Sequence, residues 1–151
     1  MGTILAIDPG TTESGWVSLR DGVPVVFGKW DNEDLIDHVR LSRDDRMAVE
    51  MVASYGMPVG AEVFETCVWA GRFIEAFGGD STRVYRKDVK MHLCGQTRAK
   101  DGNVRQALID RFGGKDKAIG KKASPGVCYG MAGDVWQALA LAVTVHDGAV
   151  S

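Results

Sequence analysis

The chain opens with an apolar run that ends in an acid, and no other feature limits its fold as sharply. Ile4-Leu5-Ala6-Ile7 leads directly to Asp8, and Pro9-Gly10 then breaks the run. A short apolar stretch of this kind reads as a buried strand entering a tight turn. A carboxylate at the end of a buried strand is costly unless it is paired or binds a metal. The device recurs. Arg46 to Val52 reads as another apolar strand and carries Glu50, while Asp134 opens an apolar helix predicted from Ala132 to about His146.

The segments between these acids supply the rest of a sheet. Gly15 to Leu19 and Val23 to Trp30 flank Arg20-Asp21-Gly22, a strong hairpin signal. Asp31 can cap a short helix running to about Leu41. From Val59 to Phe77 the apolar residues Val63, Cys67, Ala70 and Ile74 fall at helical spacing, and Gly78-Gly79 stops the helix. Thr82 to Tyr85 reads as a fifth strand, followed by helices at Lys87 to Leu93 and Lys100 to Phe112. Gly113 to Gly130, rich in glycine and lysine and containing Pro125, reads as a mobile loop. Three strands followed by alternating helix and strand predict an α/β fold: a mixed five-stranded sheet flanked by helices. At 151 residues this is one domain, 1–151, and 45% hydrophobic residues suffice for a sizeable core.

Composition narrows the function. The formal net charge is −2, so any nucleic-acid contact must rest on local positive charge rather than a basic coat. Cys67, Cys94 and Cys128 form no C-x-x-C pair, which argues against zinc and reads as reduced thiols. The N-terminus lacks the basic, then apolar, pattern of a signal peptide, and no apolar run approaches the roughly 18 residues of a membrane span. The expected setting is cytoplasmic, with no membrane partner.

Asp8, Glu50 and Asp134 each sit in an otherwise apolar element. Brought together, they would repel one another, and a divalent cation would relieve that repulsion. Oxygen-only ligands select a hard ion, Mg²⁺ with Mn²⁺ able to substitute. Two such ions about 4 Å apart could activate water and stabilise the leaving oxygen in phosphodiester cleavage. Taken singly, each acid also has a plainer reading. A strand-end acid forms turns, and Asp134 suits the positive end of a helix dipole.

Four motifs in series carry a resemblance. Ile4-Leu-Ala-Ile-Asp8-Pro-Gly10-Thr-Thr-Glu-Ser-Gly15 resembles the first motif of the RuvC family of Holliday junction resolvases, and Met47-Ala-Val-Glu50 is similar to the second. Val84-Tyr-Arg-Lys-Asp-Val-Lys90 with Gly95-Gln-Thr-Arg-Ala-Lys-Asp-Gly-Asn-Val-Arg105 resembles the family's basic stretch. Asp134-Val-Trp-Gln-Ala-Leu-Ala-Leu-Ala142 resembles its closing helix. The resemblance implies an RNase H-like fold and a magnesium-dependent crossover junction endodeoxyribonuclease of DNA recombination and repair. It also implies a bacterial or bacteriophage setting. Asp8, Glu50 and Asp134 become expected metal ligands and catalytic residues. The family usually has a charged or imidazole group where this chain has Gln137. A glutamine can offer its carbonyl oxygen or hold a water, but it adds no charge.

The same resemblance brings the basic stretch, with Lys87, Lys90, Arg98, Lys100 and Arg105, to the scissile strand, and makes Lys90 the candidate for neutralising a phosphate. A solvated helix face is the plainer reading of these residues. Lys115, Lys117, Lys121 and Lys122 could add phosphate contacts. Tyr55, with Met57 beside it, is the expected wedge that stacks at an opened junction. Two nicks of matching polarity call for a homodimer, with the Val59 to Phe77 helix as its expected interface. Alternatives remain: a debranching nuclease acting on flaps and forks, or a junction-binding protein whose site has decayed at Gln137. Asp8-Pro-Gly-Thr-Thr12 also resembles the phosphate loop of actin-like kinases. Those enzymes need two lobes, which 151 residues do not supply, so no nucleotide cofactor is expected.

Overall fold

The computed structural model describes residues 2–150. Its strands are β1 (Thr3–Asp8), β2 (Glu13–Arg20), β3 (Val23–Asp31), β4 (Arg46–Glu50) and β5 (Ser81–Val84), in sheet order β3-β2-β1-β4-β5. The first three are antiparallel neighbours, and β1, β4 and β5 run parallel. The helices are α1 (Asn32–Leu41), α2 (Ala61–Phe77), α3 (Arg86–Cys94), α4 (Asp101–Arg111), α5 (Lys115–Ala118) and α6 (Gly133–His146). The predicted mixed five-stranded sheet with flanking helices is present.

Side-chain alternation divides the core into two layers. Leu5, Ile7, Trp16 and Met47 face α1 and α2, where Leu35, Ile36, Val39, Trp69 and Phe73 cover them. Ile4, Ala6, Val17, Leu19, Ala48 and Val84 face α6. Between Val135 and Val145 every residue of α6 is buried, because the helix lies between the sheet and the pair α3 and α4. A helix apolar on all sides needs such a place. The small Ala6 and Ala48 open the middle of the sheet to it. Continuing the alternation by two residues, Asp8 and Glu50 emerge on this same face at the C-terminal ends of two adjacent parallel strands.

Polar groups fix the ends of the elements. The Asp31 carboxylate accepts the Glu33 amide at 2.9 Å and caps α1. Buried Ser14 and Asn32 form a small network around the turn that follows Asp8. Ser14 Oγ accepts the Gly10 amide at 3.1 Å and donates to Asn32 Oδ1, while Asn32 Nδ2 donates to the Gly10 carbonyl at 2.9 Å. Beyond α6, Asp147 accepts both Arg111 nitrogens at 2.6 and 2.7 Å and lies 2.8 Å from His92 Nε2, tying that end to α3 and α4.

Two expectations need correction. Strand β4 stops at Glu50 rather than Val52, because residues 51–60 leave the sheet for the loop before α2. Residues 113–130 are folded rather than an unstructured loop. They contain α5 and a two-stranded ribbon, β6 (Gly120–Lys121) with β7 (Ser124–Pro125). The Cys128 amide donates to Ala118 and the Gly126 amide to Ile119, both at 2.8 Å, and Ala118 and Cys128 are buried. Gly126 is needed here because a Cβ would collide with the Lys117 and Ala118 carbonyls. Its glycine marks close approach of two backbones, not slackness. Among the described residues the cysteines are unpaired, and burial pushes the Cys128 thiol up to about 11. No described helix is long and apolar enough to cross a membrane.

Candidate active site

Asp8 and Asp134 line one cleft, and Glu50 lies beside Asp8 at its edge, bound to the cleft residue Arg86. Asp8 and Glu50 arrive on adjacent strands, close enough for Glu50 to raise the Asp8 pKa. Asp134 comes from the first turn of α6, which crosses β2 at Gly15. A Cβ on Gly15 would lie 2.5 Å from the Asp134 backbone carbonyl, so only glycine lets this turn come so close. Gln137, one turn further on, is buried on the same wall. The cleft, of about 440 Å³, is lined by Asp8, Asp134 and Gln137 together with Arg86, Asp101, Gly102, Arg105, Met131, Gly133 and Trp136.

The electrostatics reflect crowding of like charges. Burial raises the Asp8 carboxyl first, then the charge and hydrogen bond of Glu50, with Asp134 adding to them. Arg86 opposes, and the result is about 9. Burial and the neighbouring acids therefore favour the protonated form of Asp8.

Two cations compensate the other acids. Arg86 grips Glu50 through Nε at 3.1 Å and Nη2 at 3.4 Å, and its Nη1 reaches both Asp101 oxygens at 3.2 and 3.3 Å. Burial works against the guanidinium charge, but Glu50, Asp101 and Asp8 outweigh it and hold it above its ordinary value. Lys29 Nζ lies 2.8 Å from Asp134 Oδ2. Its partner's hydrogen bond and charge raise its pKa, although both groups are half-exposed. No three His, Cys, Asp or Glu side chains among the described residues are arranged to hold a metal ion.

Arg86 and Lys29 were not predicted. Arg86 lies inside the basic stretch, where nothing local separates it from Lys87 or Lys90. Lys29 pairs across the hairpin with Gly15, the glycine beneath Asp134, so only the strand register brings it near the site. Asp101 also joins the cleft, through Arg86.

The remaining predicted residues separate into groups. Lys87, Lys90 and Tyr55 line an adjoining hollow of about 420 Å³ with Thr97, and Arg86 forms the boundary with the acid cleft. Lys90 thus faces the neighbouring hollow rather than the carboxylates. Arg105 lines the cleft with its guanidinium 5.3 Å from the Trp136 ring, and also borders a third hollow that contains Lys115. Lys100 is the cap residue of α4, its amide donating to Asn103 Oδ1 at 2.9 Å. Arg98, Lys121 and Lys122 are exposed and line none of these three hollows.

Tyr55 is unusual in two respects. Its φ of +51 is left-handed, a conformation that bulky residues seldom adopt, and 63% of it is exposed. The turn with Gly56 thus holds an aromatic ring out beside the basic hollow. Along α2, Phe64 is 61% and Val68 54% exposed, while Trp69 and Phe73 are buried against the sheet. Phe64 thus faces away from the buried aromatics of its own helix.

No family model matches the chain, and no curated protein matches it. Solved structures do. The RuvC structure from Thermus thermophilus is similar with a TM-score of 0.64 over 97% of each chain, at 16% identity. T. thermophilus RuvC in complex with Holliday junction substrate is similar with a TM-score of 0.69, covering 99% of this chain and 98% of that one, at 18% identity. The likeness spans the whole domain and defines the fold as RuvC-like, within the RNase H-like class.

Proposed function

We infer that this chain is a divalent-metal-dependent endonuclease that nicks four-way DNA junctions as a homodimer. The observation that carries the reading is that Asp8 and Asp134, from separate elements, line one open cleft with Glu50 directly beside Asp8. The complex of T. thermophilus RuvC with Holliday junction substrate, on the same fold, supports branched DNA as the substrate class.

The donor set fits a hard cation. It offers only oxygen, and the Asp8 carboxyl, raised to about 9 by burial and neighbouring acids, belongs to a cluster short of positive charge. Asp8, Glu50 and Asp134 would hold the ion, with the Gln137 carbonyl as a neutral donor. A bound Mg²⁺ or Mn²⁺ would supply activation of water and stabilisation of the departing oxygen. The chain's own residues do the rest. Arg105 in the cleft and Lys87 and Lys90 in the adjoining hollow present positive charge to successive phosphates, and Tyr55 offers a ring on which a base at the branch can stack. Arg98, Lys100, Lys121 and Lys122, outside the hollows, are proposed for longer-range attraction of the DNA.

The test is incubation of the purified protein with a four-way junction, a fork and linear duplex, with and without Mg²⁺. Paired symmetrical nicks in the junction, dependent on Mg²⁺, are expected. Equal cutting of linear duplex would remove the branch selectivity, and no cutting in either Mg²⁺ or Mn²⁺ would remove the nuclease.

The exposed Phe64 and Val68 support α2 as the dimer contact, since this helix buries only Trp69, Ala70 and Phe73 and leaves a solvent-facing apolar strip that calls for a partner. Phe64→Glu with Val68→Glu is expected to leave the monomer folded, because neither side chain is in its core. It should weaken self-association by about tenfold or more, read by light scattering, and uncouple the two nicks. A variant that remains dimeric would move the interface elsewhere.

A further inference from the structure

The ion pairs inside the cleft carry a consequence for how it fills. Both oxygens of Glu50 are engaged by one side of the Arg86 guanidinium, while the other side holds Asp101. Val84 pairs in register with Glu50, and Arg86 opens α3 two residues later, so β5 delivers the guanidinium to the acid. Among the described residues the acids do not converge on an ion position. A guanidinium beside a divalent cation is also repelled by it, so metal ligation by Glu50 and the Arg86–Glu50 pair oppose each other.

We propose that Arg86 is a positioning residue that stands in for the divalent cation in the metal-free cleft and releases Glu50 when metal and DNA arrive. Asp101 makes the release economical. Its side chain is more exposed than that of Glu50, and it holds the opposite side of the same guanidinium. A rotation that frees Glu50 leaves Arg86 tethered at the boundary of the acid cleft and the Lys87–Lys90 hollow, since it lines both. A phosphate crossing that boundary offers Arg86 a second anion and draws it from Glu50. Metal and DNA therefore assist each other's binding, and each binds more weakly alone. The inference rests on the nuclease reading above and adds an order of assembly to it.

The experiment measures Mn²⁺ binding by electron paramagnetic resonance, without DNA, in the wild type and in R86Q, R86K, D101N and R86Q/D101N, with D8N as control. R86Q should bind Mn²⁺ about tenfold more tightly than wild type, whereas R86K, which keeps the charge, should stay near it. D101N should bind severalfold more weakly, because Arg86 loses its alternative anchor, yet have no effect in the R86Q background. A ligand role for Asp101 would instead persist in that background and contradict the tether. Thermal melting gives an independent readout. R86Q should melt lower than wild type without metal and gain more on adding Mn²⁺. If R86Q binds Mn²⁺ no better than wild type while D8N loses it, Arg86 is not a gate and the nuclease reading stands. If wild type and R86Q both fail to bind even millimolar Mn²⁺ and cut nothing, the nuclease reading falls and this inference with it.

Discussion

Asp8→Asn should melt higher than the wild type in the absence of metal and cut no junction in its presence. The first half follows from the crowding at the end of β1. The folded Asp8 carboxyl sits at about 9, raised from 3.8 by burial and then by Glu50. A group shifted upwards in this way contributes stability that is complete below about pH 4 and is lost as pH rises towards 9. Keeping the site neutral at pH 7 costs roughly 4 kcal/mol for a carboxyl whose unfolded value is 3.8. Asparagine removes that requirement. Allowing for coupling between the two acids, a gain of about 2 kcal/mol, or about 5 °C in Tm, is expected at neutral pH. The wild type should also lose stability between pH 4 and 9 where the variant stays flatter. Nicking should fall by about a thousandfold or more, because the metal loses a charged ligand. Equal melting temperatures, or cutting within tenfold of wild type, would refute the assignment of Asp8.

Glu50→Gln should also abolish cutting but move stability the opposite way, although the two side chains touch. Both oxygens of Glu50 are held by Arg86, and the Glu50 charge is one of the causes that raise its neighbour Asp8. Removing its charge relieves little repulsion and leaves a half-buried guanidinium with Asp101 as its one remaining acid partner. A loss of about 1–3 kcal/mol in metal-free stability is expected, measured by urea unfolding at pH 7. A Gln variant more stable than wild type would mean that the Arg86 pair contributes less than the repulsion Glu50 exerts on Asp8. The two substitutions thus separate the crowding at Asp8 from the pairing of Glu50 with Arg86.

The acids themselves were legible because each interrupts an apolar element, where a charge has no structural excuse. Alternation along β1 and β4 then leads each acid to the face covered by α6. Their compensating cations were not legible. Arg86 looks like its neighbours in a basic stretch, and Lys29 is one of several polar residues on a half-exposed strand. Their roles come from pairings across the sheet that no local pattern records. The same limit explains Lys90, whose position depends on the rotation of α3 about its own axis. For residues 113–130 the error lay in reading glycine as freedom. Gly126 is there because two carbonyls leave no room for a side chain. Phe64 shows the converse: helical spacing finds apolar positions but cannot say whether the core or the solvent receives them.

The acid cluster draws on the first strand and the last helix of the domain, with the middle of the sheet built between them. During synthesis, Asp8 leaves the ribosome early and then waits for residues 133–146 before it has its full set of neighbours. A half-made chain therefore lacks the full acid cluster. On the proposed reading, the ability to cut DNA arrives late, once nearly the whole domain can close around α6.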